Sequence, residues 1–378
     1  MVSLLMDASS ELVHSLLPVF MSSVLGAGMV TIGVVEGIAE ATASTTRVAS
    51  GLVSDRIRRR KHLLILGYGI AALSKPMVPL ASSIAWVMGA RFIDRMGKGI
   101  RGAPRDALIA DITSPALRGA AYGLRQGLDS FGAVLGPLLA IAFMAWFSNN
   151  IRAVLWVAVV PAVLAVGWLI VGVREGEPRR RHAAGGTRLA LSELRLLDRH
   201  YWIVAALCAT ITLARFSEAF LVLRSVSVGV PIGLVPVIMI IMNVAYAAAA
   251  YPAGLAADRM SRRRIALGGL GVLVLADLIL ALASSATAVL LGGLCWGLHL
   301  ALTQGFLSKL IADVAPAQLR GTAFGISSLL NGAALLAASF FAGLLWDQVG
   351  PAAPFAAGAT IALAAALGTL ALSPESPK

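Results

Sequence analysis

Metal ligands and charge are both scarce in this chain. Its 378 residues hold five histidines and two cysteines. Cys208 and Cys295 fall inside apolar runs, which supports neither a disulfide framework nor a zinc site. The histidines are scattered, and only His14 stands near carboxylates at helical spacing. Without an arranged nucleophile and base or a paired metal site, an intramembrane enzyme is disfavoured. No glycine-rich loop ends in Lys-Ser/Thr, so nothing marks a nucleotide site. Charged residues make up 13% of the chain, against about 25% in soluble domains. The first apolar run has no basic leader and no small-residue cleavage site, so it is expected to stay as a membrane helix.

What replaces charge is apolar length. Hydrophobic residues are 58% of the chain, and mean hydropathy is +0.84. Runs of roughly 20 apolar residues, each enough to cross a bilayer, recur near 4–26, 29–53, 63–82, 84–111, 119–146, 152–173, 201–223, 232–256, 265–283, 287–313, 321–345 and 353–372. These twelve segments predict an all-α polytopic membrane protein. A barrel would instead show alternating segments of about ten residues.

The net charge of +12 sits in "DRIRRRK" (55–61), in 174–200 and in "DRMSRRR" (258–264), while the alternate loops are nearly free of Lys and Arg. By the positive-inside rule these basic loops are cytoplasmic. The basicity then encodes orientation rather than nucleic-acid binding, and twelve spans put both termini in the cytoplasm.

The chain also resembles itself. "GLVSDRIRRR" at 51 returns as "GLAADRMSRRR" at 254, and "LIADITSPALRGAAYG" at 108 returns as "LIADVAPAQLRGTAFG" at 310. Ser10-Glu11 returns as Ser217-Glu218. Charged signatures in the same order at nearly constant offset indicate two homologous halves. These are 1–173 and 201–378, joined by a linker at 174–200 whose "RLALSELRLLD" is amphipathic.

Twelve helices in two six-helix halves, with G-x-x-x-D-R-x-x-R-R after segment 2 and again after segment 8, resemble the major facilitator superfamily over essentially the whole chain. "DASSELVHSLLPVF" (7–20) with "DRMGKGIRGAPRDALIAD" (94–111) is similar to one bacterial subgroup of these permeases, mostly of unassigned substrate and with a few metal-resistance exporters. The resemblance implies alternating access in the inner membrane, driven by a proton gradient without a cofactor. A monomer is expected, with a small-molecule substrate and the lipid bilayer as partners.

The resemblance further implies that segments 1, 4, 7 and 10 line a central cavity, and the charge distribution agrees. Segment 1 carries Asp7, Glu11 and His14 on one face. Segment 4 carries Arg91, Asp94, Arg95, Lys98, Arg101 and Arg105 every three or four residues, one stripe of a helix. With Glu36 and, from the second half, Arg215, Glu218, His299 and Gln304, these are the candidate substrate and proton-coupling residues. Cations and carboxylates nearly balance in segments 1–5, so salt bridging between helices is the competing account of the stripe. Charge in lipid costs at least about 3 kcal/mol, which favours cavity-facing positions under either account. The second half lacks the stripe, so the first half is expected to carry the ion chemistry.

Two further motifs follow from the resemblance. Gly51, Asp55, Arg56 and Arg59 match the superfamily's loop signature and imply a latch in which Arg59 reaches Asp111. Asp258, Arg259 and Arg262 repeat it, with Asp313 as the mate. In segment 5, Gly127, Gly132, Gly136 and Pro137 are similar to the facilitator motif associated with antiport, which implies export. Arg91 occupies the position of an arginine implicated in proton coupling. The substrate stays open between an anionic metabolite or metal chelate, suited to the cations, and a cationic drug or divalent metal, suited to the carboxylates. Proton-driven import is the alternative direction. No bound metal is expected as a resident group.

Overall fold

The computed structural model describes residues 1–56, 60–114, 117–173, 197–316 and 319–371, and every regular element in them is helical. In chain order these are α1 (Val2–Val19), α2 (Met29–Arg56), α3 (Arg60–Ser74), α4 (Ile84–Ile112), α5 (Arg118–Trp146), α6 (Ile151–Val157), α7 (Val159–Gly172), α8 (Arg199–Leu213), α9 (Ala219–Ser227), α10 (Val237–Arg259), α11 (Arg262–Leu282), α12 (Ala286–Val314), α13 (Arg320–Gln348) and α14 (Ala353–Ala371). The pairs α6/α7 and α8/α9 each form one span, so the order reproduces the twelve predicted segments. The linker reading at 174–196 lies outside the described residues.

Local chemistry explains where most spans start and stop. Ser83 caps α4 by accepting the Trp86 N–H, and Ser285 caps α12 by accepting the Ala288 N–H. Pro18 removes a backbone donor from α1, which then widens into a π turn over Phe20–Val24. α3 stops at Ser74 rather than near 82, because Pro76 and Pro79 cannot continue it. Segment 7 was expected to be continuous over 201–223, but it breaks at 214–218 between α8 and α9. Ser339 Oγ meets the freed Ser217 N–H at 3.1 Å, as irregular backbone in a membrane requires.

Among the described residues, seven spans are long and apolar enough to cross a membrane on length and composition alone. α2 and α4 fall outside that set because they carry charge, and the fold turns that charge inward.

Within the first half, small residues let helices touch. A Cβ on Gly136 would lie 2.6 Å from the Ala8 carbonyl oxygen, and one on Gly132 would lie 2.7 Å from that of Leu4. The glycine run of segment 5 therefore seats α5 directly on α1. Between halves, α2 packs on α13, α5 on α10, and α1 on α9. Leu12, Leu16 and Leu17 of α1, Phe20 and Met21 of the π turn, and Phe220–Leu223 of α9 are buried in one apolar core. At the end away from the basic loops, Asp347 of α13 accepts the Met29 and Val30 N–H groups of α2 at 3.1 and 3.0 Å. That carboxylate satisfies orphan donors at a helix start and ties the halves together there.

Candidate functional site

A cavity of about 510 Å³ lies between the halves. It extends from Glu36 and His14 toward the end of α2 that carries the basic loop 55–61, with Arg47 of α2, Arg105 of α4 and Gln126 of α5 in its walls. Its lining holds six cations (Arg47, Arg95, Lys98, Arg101, Arg105 and Arg215) and six carboxylates (Asp7, Glu11, Glu36, Glu40, Asp129 and Glu218), with His14 among them. The stripe on α4 thus faces a cavity, which is where its charge is least costly.

Most of the stripe is paired. Arg91 Nη2 meets Glu36 Oε2 at 2.6 Å, and Arg95 Nη1 meets Glu40 Oε1 at 2.8 Å. Arg101 reaches Asp7 at 3.3 Å while its guanidinium lies 4.5 Å over the Tyr68 ring. Arg105 contacts Asp129 at 3.6 Å and Asp106 at 3.5 Å. Buried charges persist when paired with good geometry, and here each arginine of α4 meets a carboxylate.

Three cavity charges are different. Lys98, Arg215 and Glu218 have no ion pair within 4.0 Å among the described residues. Lys98 projects exposed from α4, and the other two bracket the break in segment 7. Broken spans near mid-membrane concentrate polar groups at substrate and ion sites in transporters.

His14 joins two carboxylates. Its Nδ1 lies 3.6 Å from Glu11 and its Nε2 lies 3.8 Å from Glu36. Glu36 leads on to Arg91, Arg91 to Asp94 at 3.9 Å, and Asp94 to Lys75 at 2.7 Å. Lys75 in turn donates to Ser10 Oγ at 3.0 Å. A contiguous polar chain therefore runs from the cavity wall into the first half.

Three predicted site residues do not line the cavity. Arg91 is buried behind Glu36, and Asp94 is taken up by Lys75. His299 is fully buried on α12, its Nδ1 2.8 Å from the Gly269 carbonyl oxygen, so it packs inside the second half. Asp7, Glu11, His14, Glu36, Arg95, Lys98, Arg101, Arg105, Arg215, Glu218 and Gln304 do line it. So do Glu40, Asp129 and Tyr246, which the sequence reading did not single out as site residues. Their helices (α2, α5 and α10) were not among the expected lining segments. The i, i+4 spacing of Glu36 and Glu40 was the available signal.

In the latch region, Asp111 Oδ2 lies 2.5 Å from Arg60 Nη1, the residue after the predicted partner. Arg59 lies outside the described residues, as do the side chains of Asp55, Arg56, Asp258, Arg259 and Arg262. Gly51 faces Ala103 of α4, to which a Cβ would come within 3.6 Å.

The family pattern of the Major Facilitator Superfamily matches residues 1–242 and again 222–378. The chain belongs to this superfamily. It is therefore a multi-pass membrane transporter, and transporters of this family bind small-molecule substrates. An uncharacterised MFS-type transporter of Methanocaldococcus jannaschii is 29% identical over 377 residues, covering 97% of this chain and 91% of that one. A multidrug resistance protein, MdtH of Yersinia enterocolitica, is 27% identical over 146 residues, which is 38% of this chain and 35% of that one. The structure of a mutant of the nucleoside transporter NupG superposes with a TM-score of 0.85 at 13% identity, covering 98% of this chain and 97% of that one. At that identity the likeness concerns the fold.

Proposed function

We propose that this facilitator exports a small organic anion in exchange for protons, by alternating access around the cavity. The observation that carries the reading is the set of cavity charges without ion pairs, Lys98 from the first half and Arg215 and Glu218 from the second. Two cations against one carboxylate leave net positive charge for a ligand, and a ligand touching Lys98 and Arg215 spans both halves. An anion held from both sides is coupled to their relative motion. Metal cargo has less support, since among the described residues no group of three or more His, Cys, Asp or Glu is set to hold an ion.

Proton exchange is assigned to Asp7, Glu11, His14 and Glu36. Protonating Asp7 would free Arg101 for substrate or for another carboxylate, and protonating Glu36 would release Arg91 behind it, linking proton and anion occupancy. Export rests on the segment 5 motif and on the partial likeness to a multidrug resistance protein. The geometry gives Gly132 and Gly136 a packing role as well. Both termini and the open end of the cavity are placed in the cytoplasm, with the Asp347 seal outside. The protein works as a monomer in the inner membrane, on the ion gradient alone.

The test is proton release from energised everted vesicles as organic anions, organic cations and divalent metals are added in turn. Dequenching by anions that Lys98→Ala suppresses is expected. Dequenching by cations alone would move the site to the carboxylates. Further quenching on anion addition would reverse the proposed direction of transport.

A further inference from the structure

Asp277 is an acid that the cavity does not use. It lies on α11 with no exposed surface, and neither carboxyl oxygen has a hydrogen-bond partner among the described residues. A Cβ built on Gly358 of α14 would lie 2.6 Å from Asp277 Oδ2 and 3.2 Å from the carbonyl oxygen of Ala214. Two oxygen acceptors thus converge on the bare face of Gly358. Ala214 is the residue at which α8 stops, immediately before cavity-lining Arg215.

The internal repeat shows that the fold does not demand this acid. α4 and α12 are both 29 residues long, with Ser83 and Ser285 as N-caps, an offset of 202. The same offset carries Lys75 onto Asp277 and Asp94 onto Trp296. In the first half, Lys75 and Asp94 form a 2.7 Å ion pair. In the second half an acid stands where the base was. The residue at the Asp94 position is an indole whose buried Nε1 also lacks a partner.

An isolated carboxylate in an apolar interior costs several kcal/mol. A carboxylic acid in the same place has an O–H to donate, and the Ala214 carbonyl is an acceptor facing the same side of Gly358. Few titratable groups surround the site. The break contributes Arg215 and Glu218, α8 contributes Cys208, and α12 contributes Cys295 and His299. Arg224 of α9 is engaged with the carbonyls of Leu280, Ala281 and Ala283. The described residues of α14 bring none, and none of these groups bonds to Asp277.

We propose that Asp277 is a second proton-binding site, outside the central cavity, holding its proton through an O–H···O bond to Ala214 and releasing it to water when the break in segment 7 moves. The binding stands on the geometry at Gly358; the release rests on the alternating-access reading above. No covalent bond other than the O–H forms or breaks.

Infrared spectroscopy of the full-length protein in lipid nanodiscs tests it. The expected result is a carbonyl stretch of a protonated carboxyl that downshifts in D2O and is lost in Asp277→Asn. Gly358→Ala, which puts a methyl group between the two oxygens, should move that band to higher frequency. If no band depends on Asp277, or if it never responds to D2O, the site is overturned. Loss of the band on adding sodium would assign the site to a metal cation instead. An unshifted band in Gly358→Ala would remove Ala214 as the acceptor. Exchange that is no faster in Asp347→Ala, where the outer seal is weakened, would overturn the release step alone and leave the binding site standing. Failure of anion-driven proton release in vesicles, with the band intact, would count against the transport reading and not against the site.

Discussion

The two halves build the same helix pair by different means. In the first half α2 and α4 are joined by the Glu36–Arg91 and Glu40–Arg95 ion pairs. At the equivalent positions, 203 residues on in α10 and 202 residues on in α12, the second half has Met239 with Gly293 and Asn243 with Gly297. There a Cβ on Gly293 would sit 2.8 Å from Ile238 Cγ1, and one on Gly297 would collide with the Met242 carbonyl. Close glycine packing therefore satisfies the fold where buried ion pairs are not used. The remaining stripe residues Lys98, Arg101 and Arg105 become Leu300, Thr303 and Leu307. Charge in the first half is a property of the cavity and not a requirement of the architecture.

The sharpest way to break this comparison is to remove one member of a buried pair. Arg91→Ala leaves Glu36 buried and uncompensated, and should cost about 3–5 kcal/mol. Thermal unfolding in detergent would show it, and Arg91→Ala with Glu36→Gln should recover part of the loss. Equal stability of the single and double variants would mean that the pair is not what the carboxylate needs.

The mirror experiment overfills the second half. Gly297→Val should cost about 1–3 kcal/mol through forced separation of α10 and α12, read in the same assay. Asp347→Ala should cost about 1 kcal/mol, the value of a lost helix cap, and should raise labelling of a cysteine placed at position 30 from outside. Smallest in stability is Lys98→Ala, expected within about 0.5 kcal/mol of wild type because no ion pair is lost, yet with anion flux abolished.

Much of the fold was legible because apolar length, turn signals and basic loops are one-dimensional features. The repeat was legible because its charged signatures sit at fixed spacing. The segment 7 break was harder to see, since "ARFSEA" has no proline or glycine and its irregular backbone is held by Ser339, a residue 122 positions away. His299 looked like a site residue because a polar group in an apolar run invites that reading. The Gly269 carbonyl that accounts for it belongs to a neighbouring helix. Which stripe cations are neutralised also could not be read from spacing. Arg95 and Lys98 look alike in sequence, and only the placement of Glu40 on α2 separates the paired one from the exposed one.

The central claim is that an anion is held between Lys98 and Arg215, from opposite halves. The most direct measurement is anion-driven proton release in proteoliposomes for wild type, Lys98→Ala and Arg215→Ala, with unfolding temperature recorded alongside. The account predicts that each variant loses at least about tenfold in rate, equivalent to about 1.4 kcal/mol, while the unfolding temperature of Lys98→Ala stays close to wild type. Wild-type rates in both variants would contradict it.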